Sequence, residues 1–130
     1  MVPGRAVIVT ARRVGGVVGQ IEKWFGRYEE RWNRGEVSSL LSMYHRSLTG
    51  ILDGRERDFG DYTSAVAAMI GSPNRVELRL RLLSVRKLGA NHLIATGRVT
   101  SARGRQETQA PFSVIFVRQL GGWKATYSHS

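Results

Sequence analysis

The residues of this chain able to move protons or hold a polar ligand atom are a few carboxylates, three histidines and scattered hydroxyls. Asp53, Glu56, Asp58 and Asp61 crowd into one short stretch. General acid–base work needs a carboxylate whose surroundings shift its pKa. Hairpin tips are wet and Asp61 has a helix to cap, which leaves Asp53 as the acid–base candidate of the group. His45, His92 and His129 are far apart, with no His-x-His or helical His pair, so no metal site is expected. His45 ends a predicted helix, where it suits the carbonyl dipole. His92 sits at a turn. His129 shares a strand face with Trp123 and Tyr127 and is the second acid–base candidate. Tyr28 lies on the apolar stripe of a helix, either as a donor into a pocket or as a core residue satisfied by backbone. Trp24 and Trp32 share that stripe, as stacking platforms or as core. Ser113 is a lone polar residue in an apolar strand.

The element that must organise these residues is the last stretch, Pro111 to Ser130. Phe112, Val114 and Phe116 fall on one face and Ile115 and Val117 on the other, so the strand is apolar on both sides and calls for cover on both. Leu120-Gly121-Gly122 supplies a turn. The return strand sets Trp123, Ala125, Tyr127 and His129 on one side at period two. A chain that closes on such a hairpin ends inside its own sheet.

Upstream, Met1 to Gln20 carries three Arg, no acid and many Val and Gly, and reads as a leader or an extra edge segment. Its apolar run Ala6-Val7-Ile8-Val9 is too short to span a membrane. Ile21, Trp24, Phe25, Tyr28 and Trp32 repeat at three- and four-residue steps and predict a helix stopped by Gly35. A second helix follows, with Val37, Leu40, Leu41 and Tyr44 on its stripe. Ser47 to Phe59 reads as a strand, an Asp53-Gly54 turn and a polar return. Asp61 then caps a third helix from Tyr62 to Ile70. From Arg75 onward a four-stranded antiparallel meander is expected. The class is α+β: three helices with one short hairpin among them, packed on one face of a curved sheet. Residues 21–130 form a single domain.

Twenty Lys and Arg against ten acids give a formal net charge of +10. That balance favours anionic partners in general. The Arg residues lie on strands without interleaved aromatics, so specific nucleic-acid binding is not expected. No membrane partner is expected either. There is no Cys, which excludes disulfides, thiolate catalysis and Cys-ligated metal. No phosphate-cradling Gly loop and no Gly-x-Ser-x-Gly elbow is present, and no cofactor is implied. The cytoplasm is the default compartment.

Arg27-Tyr28, Gly35-Glu36-Val37, Leu40-Leu41 and Met43-Tyr44 resemble the opening of the nuclear transport factor 2-like superfamily, which includes ketosteroid isomerases and SnoaL-like proteins. Gly121-Gly122-Trp123-Lys124 through His129-Ser130 is similar to the SnoaL-like closing strand and to the end of the calmodulin-dependent kinase association domain. The resemblance covers about residues 21–130. It implies a cone, with a strongly bent sheet wrapped around three helices, a pocket at the open end, and commonly a dimer.

The isomerases in that superfamily use an oxyanion hole of one Tyr and one protonated Asp, with an Asp base. By ungapped spacing, Tyr28 falls on the oxyanion Tyr, Leu52 on the base and Ser113 on the protonated Asp. One group of three is kept, so steroid isomerisation is not expected.

Two readings follow. One is a domain that binds a small organic molecule, or an association module, without isomerase chemistry. The other is an isomerase, cyclase or hydratase using Tyr28 with Asp53 or His129. An open cavity with convergent polar groups favours the enzyme, and one plugged by Trp24, Trp32 or Tyr44 favours the module. Tyr28 is expected to face Ser113, Tyr127 and His129 across the interior, with Trp24 and Trp32 completing the ligand-binding set. A homodimer is expected to cover the outer apolar face of the penultimate strand.

Overall fold

The computed structural model describes residues 16–130. In chain order it contains α1 (Val17–Arg34), α2 (Val37–Leu41), β1 (Tyr44–Leu52), β2 (Arg55–Arg57), α3 (Phe59–Gly71), β3 (Glu77–Lys87), β4 (His92–Arg103), β5 (Gln106–Gln119) and β6 (Gly122–His129). The six strands form one curved sheet in the order β2-β1-β6-β5-β4-β3. All neighbours are antiparallel except β1 and β6, which run parallel. The expected α+β class with three helices against a bent, mainly antiparallel sheet is the class observed. The final strand does end inside the sheet, between β1 and β5.

Helix α1 buries Val18, Ile21, Trp24, Phe25 and Trp32, the positions its periodicity singles out. It starts at Val17, earlier than Ile21. Residues 17–20 of the expected leader are therefore helical, with Gly16 at the N-cap, and residues 1–15 lie outside the described residues. Gly35 ends the helix at φ 71°, and the N–H groups of the cap reach the Arg31 and Trp32 carbonyls. Only Gly adopts this left-handed geometry without strain.

Three local expectations shift. The second helix is short and releases Tyr44 and His45 into β1, so His45 caps no helix dipole. Helix α3 starts at Phe59, and its cap is Asp58, whose carboxylate accepts the Asp61 N–H at 2.9 Å. Asp58 sits immediately before the first helical residue, where a side-chain oxygen reaches the free donors. Asp61 is inside the first turn, where its charge suits the dipole.

The core sits between the helices and the concave face of the sheet. Trp24 meets Phe116 edge to face at 4.7 Å, and Phe25 packs on Phe112 at 5.2 Å and Phe116 at 5.7 Å. Phe112, Val114 and Phe116 point inward from β5, while Ser113, Ile115 and Val117 point outward and are half-buried.

The start of edge strand β3 is closed by side chains of α1. Asn33 donates to the Leu78 carbonyl at 3.0 Å and accepts the Leu78 N–H at 2.9 Å. Glu29 accepts the Leu80 N–H at 3.0 Å, and Trp32 Nε1 donates to the Val76 carbonyl at 2.9 Å. Such partners stop an edge from pairing with another chain. They also fix α1 over the mouth end of the sheet.

Candidate functional site

Helices α1 and α3 stand off the concave sheet around a cavity of about 290 Å³. Its walls are mainly apolar: Phe25, Leu52, Val66, Met69, Leu78, Leu80, Val99, Phe112 and Val114 among them. Trp24, Tyr28 and Trp32 line it from successive turns of α1, because residues four apart share a helix face. Their rings run nearly parallel, with centroids 5.5 Å and 6.3 Å apart. Tyr44 enters from β1 and meets the Tyr28 ring at 6.1 Å and the Tyr62 ring at 5.5 Å, both edge to face.

The polar groups of this enclosure are hydroxyls. The Tyr28 and Tyr44 hydroxyls are hydrogen-bonded at 2.6 Å. The Tyr62 hydroxyl donates to Ser128 Oγ at 2.9 Å. Gly50, beside them on β1, makes this approach possible, since a Cβ there would meet the Ser128 carbonyl oxygen and come within 3.0 Å of the Tyr62 ring. Burial pushes all three phenols above their ordinary value, and their mutual repulsion adds to this for Tyr28 and Tyr44. For Tyr28 and Tyr62, hydrogen bonds to neighbouring hydroxyls pull the other way and are outweighed. Phenols held neutral are hydrogen-bond donors and acceptors, and none is ionised at neutral pH to serve as a base.

Asp53 is the one ionisable acid lining the cavity. It sits at the lip, exposed, in the turn between β1 and β2 with φ 54°. Leu52, before it, is buried and faces inward. The position that resembles the isomerase base thus presents an alkyl group to the interior.

The expected cluster of Tyr28 with Ser113, Tyr127 and His129 does not form. Ser113 pairs with His129, and Ile115 with Tyr127, on the convex face of the sheet. Tyr127 borders an outer depression with Thr49, Ile51, Glu56 and Arg57. Tyr28 is on the concave side. The cause is a β-bulge. Phe116 pairs with Ala125 and Ile115 with Tyr127, so Thr126 is an extra residue in β6. One inserted residue moves every later side chain to the other face. Trp123 and Ala125 keep the inward face, but beyond Thr126 it is Ser128 that turns inward. The bulge is matched by an irregularity in β1, where Ser47 Oγ bonds Thr126 Oγ1 at 2.9 Å.

Of the expected ligand-binding set, Tyr28, Trp24 and Trp32 line the cavity, and Trp24 and Trp32 are also core residues with relative exposures of 4% and 5%. Tyr44, expected at most as a plug of the cavity, enters it as a polar partner of Tyr28, and Tyr62 and Ser128 join it unexpectedly. Tyr62 had a signal, being four residues before Val66 and eight before Ile70 on one helical stripe. Ser128 had none, because its orientation depends on the bulge. His45 bonds Ser47 Oγ at 2.7 Å, and His92 opens β4 in solvent. Among the described residues no three His, Cys, Asp or Glu side chains converge as a metal site. No helix among them is long and apolar enough to cross a membrane.

No protein-family model and no curated protein matches the sequence. Solved structures do match. An NTF-2-like protein of unknown function from Shewanella oneidensis MR-1 superposes with a TM-score of 0.75 at 20% identity, over 85% of this chain and 95% of that one. An NTF2-like protein of unknown function from Pseudomonas putida KT2440 gives 0.69 at 14% identity, over 85% and 82%. A candidate scytalone dehydratase from Novosphingobium aromaticivorans DSM 12444 gives 0.71 at 11% identity, over 85% and 79%. The chain has the nuclear transport factor 2-like fold, as the resemblance implied.

Proposed function

We propose that this nuclear transport factor 2-like domain binds a small, uncharged and largely apolar organic molecule through one oxygen atom. The observation that carries the reading is the set of tyrosine and serine hydroxyls turned into an otherwise apolar cavity of about 290 Å³. That volume is near the lower end of ligand pockets, which begin at about 300 Å³. An ion would lose its hydration without meeting an opposite charge in the interior, so a neutral guest is favoured. Its carbonyl or hydroxyl oxygen accepts from Tyr28 or Tyr44, and the stacked indoles and Phe112 cover its apolar part.

A native mass spectrum of freshly purified protein tests this, with a retained small molecule as the expected result. A second test titrates 2-naphthol against tryptophan fluorescence. Tyr28→Phe and Tyr44→Phe should each weaken binding about tenfold, the worth of one well-placed hydrogen bond. Binding unchanged by Val66→Trp, which fills the cavity, would sink the reading.

A second reading is favoured by one observation: Asp53 borders the cavity at its lip. An enzyme of the dehydratase or isomerase kind would use Asp53 as acid–base and a buried tyrosine as donor. His129 leaves this reading because it faces outward. Asp53→Asn separates the two: an enzyme loses its turnover and keeps 2-naphthol affinity, whereas a binding domain shows no turnover before or after the change. Steroid isomerisation remains unexpected, since Leu52 cannot take a proton.

A further inference from the structure

The end of the sheet away from the cavity mouth carries a different surface. The β3–β4 and β5–β6 turns both lie there, tied by the Arg118 N–H donating to the Asn91 carbonyl at 2.8 Å. Each turn exposes a leucine. Leu88 has a relative exposure of 55% and Leu120 of 106%, and they are the exposed large apolar side chains of the described residues. The usual spacing of strands sets the two turns about 10–15 Å apart, close enough to meet one flat surface together.

Cations surround these tips. Lys23 and Arg27, one turn apart on α1, share a groove with Arg118 and Trp123, and Arg118 lies 4.6 Å from the Trp123 ring centre. Lys87 precedes Leu88. The ion pairs of the described residues are Arg34–Glu30 and Arg79–Glu107, so none of these four cations has a carboxylate partner there. Residues 1–15 contain no acid that could supply one. Glu22, beside Lys23 on α1, is the acid of this end, whereas Glu77 and Glu107 near the starts of β3 and β5 and Asp53 and Glu56 at the β1–β2 turn lie at the other, among Arg79, Arg103 and Arg105. The chain also enters α1 at the basic end, where Gln20 accepts from Trp123 Nε1 at 2.8 Å.

From this juxtaposition we infer that the turn end of the fold docks on an anionic lipid surface. Cations on a protein face are drawn to acidic headgroups, and apolar side chains beyond them gain by leaving water. Nucleic acid satisfies the cations and Trp123 but leaves Leu88 and Leu120 without a partner. Aliphatic tips offer bases neither a hydrogen bond nor a stacking plane. No membrane partner is expected from the net charge and the short apolar run alone, since neither locates a surface. This surface joins turns separated by some thirty residues and involves no span.

The test is co-sedimentation of the full chain with vesicles of phosphatidylcholine alone or mixed with phosphatidylserine, with Trp123 fluorescence in a Trp24→Phe, Trp32→Phe background as a second readout. Binding should require phosphatidylserine and weaken with salt. Lys23→Ser and Arg27→Ser together should weaken it about 25-fold, at about fivefold per cation. Leu88→Ser with Leu120→Ser should weaken it at least several-fold with unchanged far-UV circular dichroism. Arg103→Ser with Arg105→Ser, at the mouth end, should change it less than twofold. No sedimentation at low salt overturns the proposal. So does binding indifferent to the two leucines, which would be diffuse charge attraction, or an equal loss in the Arg103 and Arg105 variant. Self-association through these leucines without vesicle binding overturns it in favour of a second copy as the occupant.

Discussion

The hydroxyls of Tyr28 and Tyr44 stand 2.6 Å apart, although one residue belongs to a helix and the other to a strand. Each is the other's hydrogen-bond partner in an apolar wall, so removing either leaves the other to water or to a guest. Tyr28→Phe and Tyr44→Phe should each cost about 0.5–1.5 kcal/mol of stability. The double variant should cost less than the sum, because both single changes break the same bond. Urea unfolding of the four proteins measures the coupling, and strict additivity would show that the pair contributes nothing.

Asn33 behaves as a substitute strand, giving and taking one bond each with Leu78. Asn33→Leu should destabilise the domain by about 1–3 kcal/mol, since the Leu78 N–H loses its partner near the protein interior. It should also promote aggregation by opening the β3 edge. Denaturant midpoints and light scattering during heating are the measurements. A variant as stable and as soluble as the parent would refute the edge-closing role.

Alkaline pH should unfold the protein through its buried phenols. Tyr28, Tyr44 and Tyr62 hold their protons more tightly in the fold than in the unfolded chain, where the ordinary value is 10.0. A raised folded value means that this contribution is complete below about pH 10 and is lost as pH rises above it, where the unfolded chain ionises first. Thermal midpoints should therefore show no effect of these groups between pH 6 and 9 and fall beyond 10. Tyrosinate absorbance from the three should appear together with loss of far-UV signal. Their ionisation in a still-folded protein would contradict the burial argument.

The convex face should make a homodimer. Ile94 pairs with Ile115 and Ile115 with Tyr127, so a half-buried apolar row crosses three strands outside the core. A second copy can cover such a row through a symmetric contact. Light scattering at tens of micromolar should give twice the chain mass, and Ile115→Lys should give the monomer. A monomeric parent protein would end this expectation.

How much of this was legible beforehand follows from the range of each interaction. The stripe of α1 and the alternation of β5 are local patterns, since a side chain's face along a regular helix or strand depends only on spacing. They led to the three helices, to the class of sheet and to Tyr28, Trp24 and Trp32 on the inner side. The Asp58 cap lay just beyond the same reach, because two nearby acids suit one helix start and only the backbone geometry selects between them. The hydroxyl site was decided elsewhere. Tyr44 leaves its expected helix because β1 extends back to pair with Ala125. Ser128, and not Tyr127 or His129, turns inward because Thr126 bulges against Ser47, a residue 79 positions away. A period-two pattern contains no mark of that insertion, since a bulge satisfies hydrogen bonds between strands and not preferences within one. The sequence by itself determined which elements form and which faces of them are apolar. Tertiary pairing alone decided which polar groups share the interior, because a single extra residue reverses the face of everything that follows it.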